Sequence, residues 1–469
     1  MKRAKWIVIA LVVVAVFLAA IIFMWNIRPR NRLAEYVAQL EAEGAVLDVG
    51  DLRSTRPEGT TFYSGPIEES ATAFLLSPAA AGPYSGVEAK DWPWYPITEK
   101  AERVFDLTPE EEAEVRVAVE KNQGLVTKLK SVSELASTRM EDIIRLTALD
   151  GEIVAAKAPD LLACRAFARL LVLDAYVTYR DGRPDDALET CGHILQLAGH
   201  VRDIPGFMPR MASSAMTSTP FTPRASFLPR MVLEAEFSKQ AVASFTLLLD
   251  ECVRREAFAQ TFDIDFLMGR QVFAQARRDY ARNVLSLPIR LALARDELKW
   301  LSVTHECRLA VTQPYYRVRS AVVGIDGVAE KGLWTFPLIQ LHMFPGPVSN
   351  FRGQAEYEVL LDQAKIALAL NRRKRGHGSY PEALGALVPA YLPEVPIDMF
   401  SANEMPYFRA DSSYVLYSTG WDGKDYLADY RAGEPGQQNV PPDELKLPPP
   451  EGYIWGHELG KPRTPPASG

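Results

Sequence analysis

From Trp6 to Trp25 the chain is apolar without one charged residue, and Lys2, Arg3 and Lys5 stand before the run. A helix of roughly 20 apolar residues rises about 30 Å, the thickness of a bilayer's hydrocarbon core. The two bracketing tryptophans suit the headgroup level, where one ring edge stays wet. The pattern predicts a transmembrane anchor over residues 6–25. A buried core helix fits poorly with an uncharged N-terminal segment flanked by basic residues. A cleaved signal peptide is the stronger rival, but its apolar core spans roughly 7–15 residues and ends at small residues. Here Leu18-Ala19-Ala20 lies inside the run, and Ile21, Ile22 and Phe23 follow it. Lys2, Arg3 and Lys5 on one side nearly balance Arg28, Arg30 and Arg32 on the other, so charge orients the segment only weakly. The free amino terminus tips it towards N-terminus in, with the following domain outside. The membrane interface is then expected at Trp6, Trp25, Lys2, Arg3, Lys5, Arg28 and Arg30.

Beyond the anchor the apolar positions take a helical period. Leu33, Tyr36, Val37 and Leu40 share a face and Gly44 supplies a stop, which predicts a juxtamembrane helix. From Ala45 to about Asp106, Pro57, Pro66, Pro78, Pro83, Pro93 and Pro96 interrupt the pattern. An extended wrapping segment with short helices, one near Ser70–Leu76, is expected there. Thr108-Pro109-Glu110-Glu111 opens a helix, with a capping hydroxyl, a proline in the first turn and acids facing the helix dipole. Helices are then expected to about Phe344. Phe167, Leu170, Leu171, Asp174, Ala175 and Thr178 fall on one face, and Ala187, Leu188, Cys191, Ile194, Leu195 and Ala198 on another. Arg180-Asp181-Gly182-Arg183 lies between them, so the two runs predict a helical hairpin. Ala175 and Ala187 give it a likeness to a single tetratricopeptide unit, but no second copy follows at a 34-residue period, and a generic αα-hairpin is the fuller description. Further helices are expected over Leu233–Cys252, Glu256–Val284 and about Pro288–Val311. Thr335–Pro347 is apolar but too broken by proline to span a membrane, and is assigned to packing or an interfacial loop.

The last third changes character. Gln354–Arg375 reads as an amphipathic helix with Leu360, Leu361, Ala364, Leu368 and Leu370 as apolar positions. Arg372, Arg373, Lys374 and Arg375 suit its negative end and read as a solvated terminus. Gly378-Ser379-Tyr380-Pro381, a short helix Glu382–Val388 and Tyr391-Leu392-Pro393-Glu394-Val395-Pro396-Ile397-Asp398 follow. Pro406–Arg409 and Ser413–Ser418 predict two strands joined by Ala410-Asp411-Ser412, and a third is expected near Tyr426–Tyr430. In Tyr380, Pro381, Leu384, Leu387, Leu392, Pro393, Pro396, Asp398, Leu416, Tyr417, Ser418, Gly420, Asp422 and Gly423, this order resembles the globular end of type II secretion major pseudopilins. The resemblance covers about Gln354–Tyr430. It implies a calcium loop after the Asp-Gly turn, with Asp422, Asp425 and Asp429 as oxygen donors, although the loop is shorter than the family's and lacks its glycine-rich stretch. The whole layout is similar to a class of bacterial single-pass membrane proteins that join an anchor, a helical ectodomain and this module, and no activity comes with that class. More than three hundred residues separate anchor from module, and no prepilin cleavage signature is present, so assembly into a pseudopilus is not implied. Beyond Arg431 the tail is rich in proline and is expected to be extended or disordered. Tyr453-Ile454-Trp455 is an apolar island within it, suited to docking back on the domain or to binding a partner.

Composition narrows the function. The chain has 469 residues and a formal net charge of −7, which argues against a general nucleic-acid binder. Its four cysteines form no metal-binding or redox motif. Cys164, Cys191, Cys252 and Cys307 read as buried small apolar residues, with a Cys164–Cys191 pair as the alternative in an oxidising compartment. Met208, Met211 and Met216 are of a type that binds soft copper, but irregular packing is the commoner use. No HExxH, P-loop, GxSxG or dinucleotide fingerprint occurs. Cys191-Gly192-His193 and His305-Glu306-Cys307 are the close nucleophile–base pairs, and residues two apart on a helix point to different faces. Glu251 with Glu256, or Asp263 with Asp265, are the carboxylate pairs available to glycoside chemistry.

The sequence thus predicts a mainly α chain. A cytoplasmic N-terminus (1–5) leads to a transmembrane helix (6–25). A juxtamembrane helix and wrapping segment (26–106) precede an irregular helical ectodomain of αα-hairpins (107–350). A small α+β module with a short antiparallel sheet (351–430) and a disordered Pro-rich tail (431–469) complete it. The expected role is a membrane-tethered, non-enzymatic binding or scaffolding protein of the bacterial cell envelope. Its partners would be the lipid bilayer and other proteins, with the ectodomain in the periplasm. The alternative is a hydrolase of envelope polymers using paired carboxylates.

Overall fold

The computed structural model describes residues 12–17, 20, 28–43, 94–135, 161–202, 207–221, 227–253, 255–280, 287–330, 347–409, 414–420 and 454–455. Most of Trp6–Trp25 lies outside these residues, as do Ser70–Leu76, all of Thr335–Pro347 except its last residue, and the strand expected near Tyr426–Tyr430. Among the described residues no helix is long and apolar enough to cross a membrane. Within the expected anchor, residues 12–17 and 20 are helical.

The described chain is mainly helical with a short antiparallel sheet near its C-terminal end. Helix α1 (Arg28–Ala42) is followed by a helical turn at Tyr95–Thr98 and a 3-10 stretch at Glu99–Asp106. The end of the segment expected to be extended with short helices therefore holds two such helical stretches. Its buried Ala101 and Val104 supply the apolar contact that the prolines upstream had obscured. Next come α2 (Pro109–Lys121) and α3 (Gln123–Ser133). The start of α2 is the expected one: Thr108 Oγ1 accepts from the Glu111 N–H at 3.3 Å, and the Glu111 carboxylate accepts from the Thr108 N–H at 3.1 Å. This reciprocal pair satisfies two amides that the helix itself leaves open.

The hairpin forms as read, from α4 (Leu161–Arg180) and α5 (Pro184–Arg202). Gly182 takes φ 79° in the connection, a left-handed value that suits a residue without Cβ. Helix α6 (Phe207–Phe221) packs on both. The single run expected over Leu233–Cys252 is two helices, α7 (Phe227–Glu234) and α8 (Lys239–Cys252). Two side chains from a distant helix explain the break. Asn371 Nδ2 donates to the carbonyls of Val232 (2.5 Å) and Ala235 (3.3 Å), and Arg375 also donates to Ala235, so the last carbonyls of α7 are capped from outside. Ser238 then caps α8 by accepting from the Ala241 N–H at 3.1 Å.

Helices α9 (Arg255–Tyr280) and α10 (Leu287–Val311) form the most extensively packed pair, and α11 (Tyr315–Glu330) follows. Helix α1 packs on α10. Leu40 is fully buried there with Phe273, Leu293, Trp300 and Leu301, while Leu33, Tyr36 and Val37 pack around them. The apolar stripe read from the sequence is the face that docks.

Helix α12 (Pro347–His377) has 31 residues and a length of about 46 Å. It contacts α6, α7, α8 and α11. Its expected amphipathic character is a point of correction. From Val359 to Asn371 nearly every residue is buried, on all sides, because polar positions are enclosed in pairs. Gly378 ends the helix with φ 78°, and its N–H reaches the Lys374 carbonyl at 2.6 Å. A 3-10 turn at Leu384–Leu387 leads to β1 (Tyr407–Arg409) and β2 (Tyr414–Tyr417), which pair antiparallel with Phe408 opposite Val415. The apolar island of the tail supplies β3 (Ile454–Trp455), antiparallel on the other side of β2.

Candidate functional site

Helix α12 carries Gln354, Glu358, Asp362 and Lys365 at three- and four-residue spacing, which puts them along one face. Each meets a charged or polar group from another helix or from its own. Arg255, the first residue of α9, donates to both Glu358 carboxylate oxygens, from Nε at 3.1 Å and Nη2 at 2.6 Å. Gln354 Nε2 also donates to Glu358, at 2.8 Å, and its carbonyl accepts from Arg210 of α6. The Arg210 guanidinium lies 4.5 Å from the Phe258 ring centre. Arg202, the last residue of α5, donates to the Cys252 carbonyl at 2.8 Å and approaches the Tyr357 hydroxyl at 3.4 Å. Lys365 bridges Asp250 (2.7 Å) and Asp362 (3.2 Å). This polar seam joins α12 to α5, α6, α8 and α9.

Buried ion pairs of this kind are strongly destabilising to break from one side, and they hold helices in a defined register. Burial is the main force on Asp362: it lifts the carboxyl to about 6, and the Lys365 ammonium offsets only part of that rise. A carboxyl with a folded pKa above its unfolded value of 3.8 adds stability that is complete below 3.8 and is lost as pH rises through about 6. Two units correspond to about 3 kcal/mol. Asp362→Asn takes a partner from Lys365 but removes the titrating carboxyl, so it is expected to abolish about 2–3 kcal/mol of the fall in stability between pH 4 and pH 8. Urea unfolding followed by circular dichroism at the two pH values measures this.

A second buried group lies at the end of α3. Ser133 Oγ sits 2.7 Å from His193 Nδ1 and 2.6 Å from the Lys130 carbonyl, and His200 Nε2 sits 3.0 Å from the Ser133 carbonyl. His193 and His200 are seven residues apart on α5 and so share a face. The arrangement has the elements of a nucleophile and base, but its setting opposes acyl chemistry. Ser133 Oγ donates into its own helix at Lys130. The site lies at the carbonyl end of α3, where the dipole repels a developing oxyanion. Burial first, and Lys130 second, push the His193 imidazole below its ordinary value, towards the neutral form. Two imidazoles closing the last turn of a helix is the use that fits. The seven-residue spacing of the histidines was the available sequence signal.

The residues singled out from the sequence do not converge. Asp422, Asp425 and Asp429 lie outside the described residues, as do Lys2, Arg3, Lys5, Trp6 and Trp25. Arg28 opens α1, and Arg30 beside it is exposed. Among the described residues no group of three or more histidine, cysteine or acidic side chains is placed to hold a metal ion. Met211 is exposed while Met216 is fully buried, so these two methionines face apart. All four cysteines are buried thiols, and burial pushes Cys191 up to about 12, far from a reactive thiolate. His305 lies 3.4 Å from Glu43, a contact between α10 and the end of α1. Asp263 is buried against Arg308. Comparison with protein-family models, with curated proteins and with solved structures returned no match.

Proposed function

We propose that the chain is a single-pass membrane-tethered, non-enzymatic binding or scaffolding protein of the bacterial cell envelope. The observation that carries this reading is the helical segment at residues 12–17, where Val12, Val13, Val14, Val16 and Phe17 are all exposed. Five large apolar side chains on one short helix are stable in lipid and costly in water. The inner membrane would hold residues 6–25, with Trp6, Trp25, Lys2, Arg3, Lys5, Arg28 and Arg30 at its two faces and the ectodomain in the periplasm. Docking of α1 on α10 supports the tether reading, since it ties the segment after the anchor firmly to the helical body. The non-enzymatic part rests on commitment of chemical groups. Asp263, Ser133, His193 and Cys191 are each buried in a packing role, and the carboxylate-pair hydrolase gains nothing from them. By resemblance, the module over 351–430 links the protein to secretion machinery, and Asp422, Asp425 and Asp429 to calcium.

Fusing reporters to the C-terminus tests orientation. A reporter active only after export is expected to be active, and one active only in the cytoplasm silent. The reverse pattern would place the ectodomain on the cytoplasmic side.

A further inference from the structure

We propose that the end of the α9–α10 pair beside α1 rests on anionic phospholipid headgroups. This second contact with the bilayer rests on the proposed anchor at residues 6–25 and adds a lipid class to it. The two ends of the pair have different partners. Phe258, Phe262, Cys307 and Val311 belong to the main core. Phe273, Leu293 and Trp300 belong to a separate cluster, against which Leu33 of α1 and Tyr280, the last residue of α9, pack. Glu43, just past α1, meets His305, further along α10 than that cluster. Helix α1 therefore runs beside α10 in the same direction. It starts near the end of the pair at which α9 stops and α10 begins.

Chain length brings that end to the membrane. Arg28, the first residue of α1, lies three positions after Trp25, so it stands within about 11 Å of the anchor's end. Charge then selects the lipid. Arg30 and Arg32 are exposed, and neither pairs with an acidic side chain among the described residues. On α9, Arg278 is exposed and donates to the neutral Gln275 amide oxygen at 2.9 and 2.6 Å. From Arg277 to Glu297 the sequence holds five arginines and three acids. Two of the acids are buried and matched, Glu297 by Arg277 and Asp296 by Arg295. That leaves Arg278, Arg282 and Arg290 against Asp279, and Arg28 to Arg32 adds three more arginines and no acid. Cations this close to a bilayer are drawn to anionic headgroups, and the attraction fades within a Debye length. Guanidinium also suits phosphate, which it meets with paired N–H donors.

The test uses the full-length chain with Asp279→Cys carrying a bimane fluorophore, the four native thiols being buried. It is placed in phosphatidylcholine vesicles, with or without about 30% phosphatidylglycerol as the anionic lipid. A lipid with a nitroxide on its headgroup quenches what touches the surface. Quenching at residue 279 is expected to be about twofold stronger in the anionic vesicles, and to return to the neutral level in about 0.5 M salt, where the Debye length is about 4 Å. Arg30→Glu with Arg32→Glu, and separately Arg278→Glu, should each lower it, and lysine at the same positions should not. A label at Thr312→Cys, exposed past the other end of α10, should stay unquenched in both vesicles. Equal quenching at the two labels, or no effect of lipid charge, overturns the contact. Flotation reads the anchor separately. A chain that floats with phosphatidylcholine but shows no quenching at residue 279 keeps its anchor and loses the second contact. One that floats only with anionic vesicles, and is quenched at residue 279, loses the anchor and keeps the contact.

Discussion

Replacing Gly269 with alanine is expected to destabilise the α9–α10 pair by about 1–3 kcal/mol, although alanine is the better helix former. A Cβ at this position would lie 2.7 Å from both Cδ1 and Cε2 of Trp300. The indole has nowhere to move, because Trp300 is 2% exposed and sits among Leu40, Phe273 and Leu301. Overpacking must then push α10 away from α9. Helix α1 shares that core, so its hold on the body should loosen too. Chemical denaturation measures the loss, and faster proteolysis at α1 is the expected local sign. Adding Trp300→Leu to Gly269→Ala makes room for the methyl group and should recover part of the loss, a coupling that only contact between the two positions explains. An unchanged midpoint for Gly269→Ala would contradict the packing described.

Asp398→Ala is expected to unfold the C-terminal module while the helical body stays folded, at a cost of about 3–5 kcal/mol. Asp398 is fully buried. Its Oδ1 accepts from Ser418 Oγ at 2.7 Å and the Phe400 N–H at 3.1 Å. Its Oδ2 accepts from Thr419 N–H at 3.2 Å, Thr419 Oγ1 at 3.1 Å and Ser401 Oγ at 3.1 Å. Alanine would leave these donors facing a dry gap, and each unsatisfied buried group costs about 1–3 kcal/mol. Asparagine keeps one acceptor and turns an N–H₂ towards donors, so it should fall between. Hydrogen exchange at the Phe400 and Thr419 amides reads the effect directly. Protection equal to that of the unsubstituted chain in Asp398→Ala would show that the carboxylate is not the fastening.

Asp398 also shows what the sequence could and could not convey. The Leu-Pro-x-x-Pro-x-Asp and Leu-Tyr-Ser-x-Gly stretches were each visible as motifs, but nothing in the spacing said that Asp398 and Ser418 meet. Local features were well marked. The Thr108 cap, the Gly182 connection and the apolar stripes of α4 and α5 depend on residues within a turn or two of one another. Long-range features were not. Reading Leu233–Cys252 as one helix failed because Asn371 and Arg375, over 130 positions away, cap the carbonyls of Val232 and Ala235. Helix α12 looked amphipathic because Glu358 and Asp362 resemble solvent-facing positions until Arg255 is brought to Glu358 and neighbouring helices enclose Asp362. The Ser133–His193 contact was hidden for the same reason: its two residues lie on different helices, 60 positions apart. The Ile454–Trp455 island was legible as apolar, and its strand partner was not.

Alkaline extraction of membranes distinguishes a chain held in the bilayer by residues 6–25, as proposed, from one that only associates with its surface. The full-length chain is expected to remain in the pellet at high pH, and a chain beginning at residue 28 to appear in the supernatant with its helical content intact. Release of the full-length chain by alkali, or retention of the shortened one, would show that residues 6–25 are not a membrane anchor.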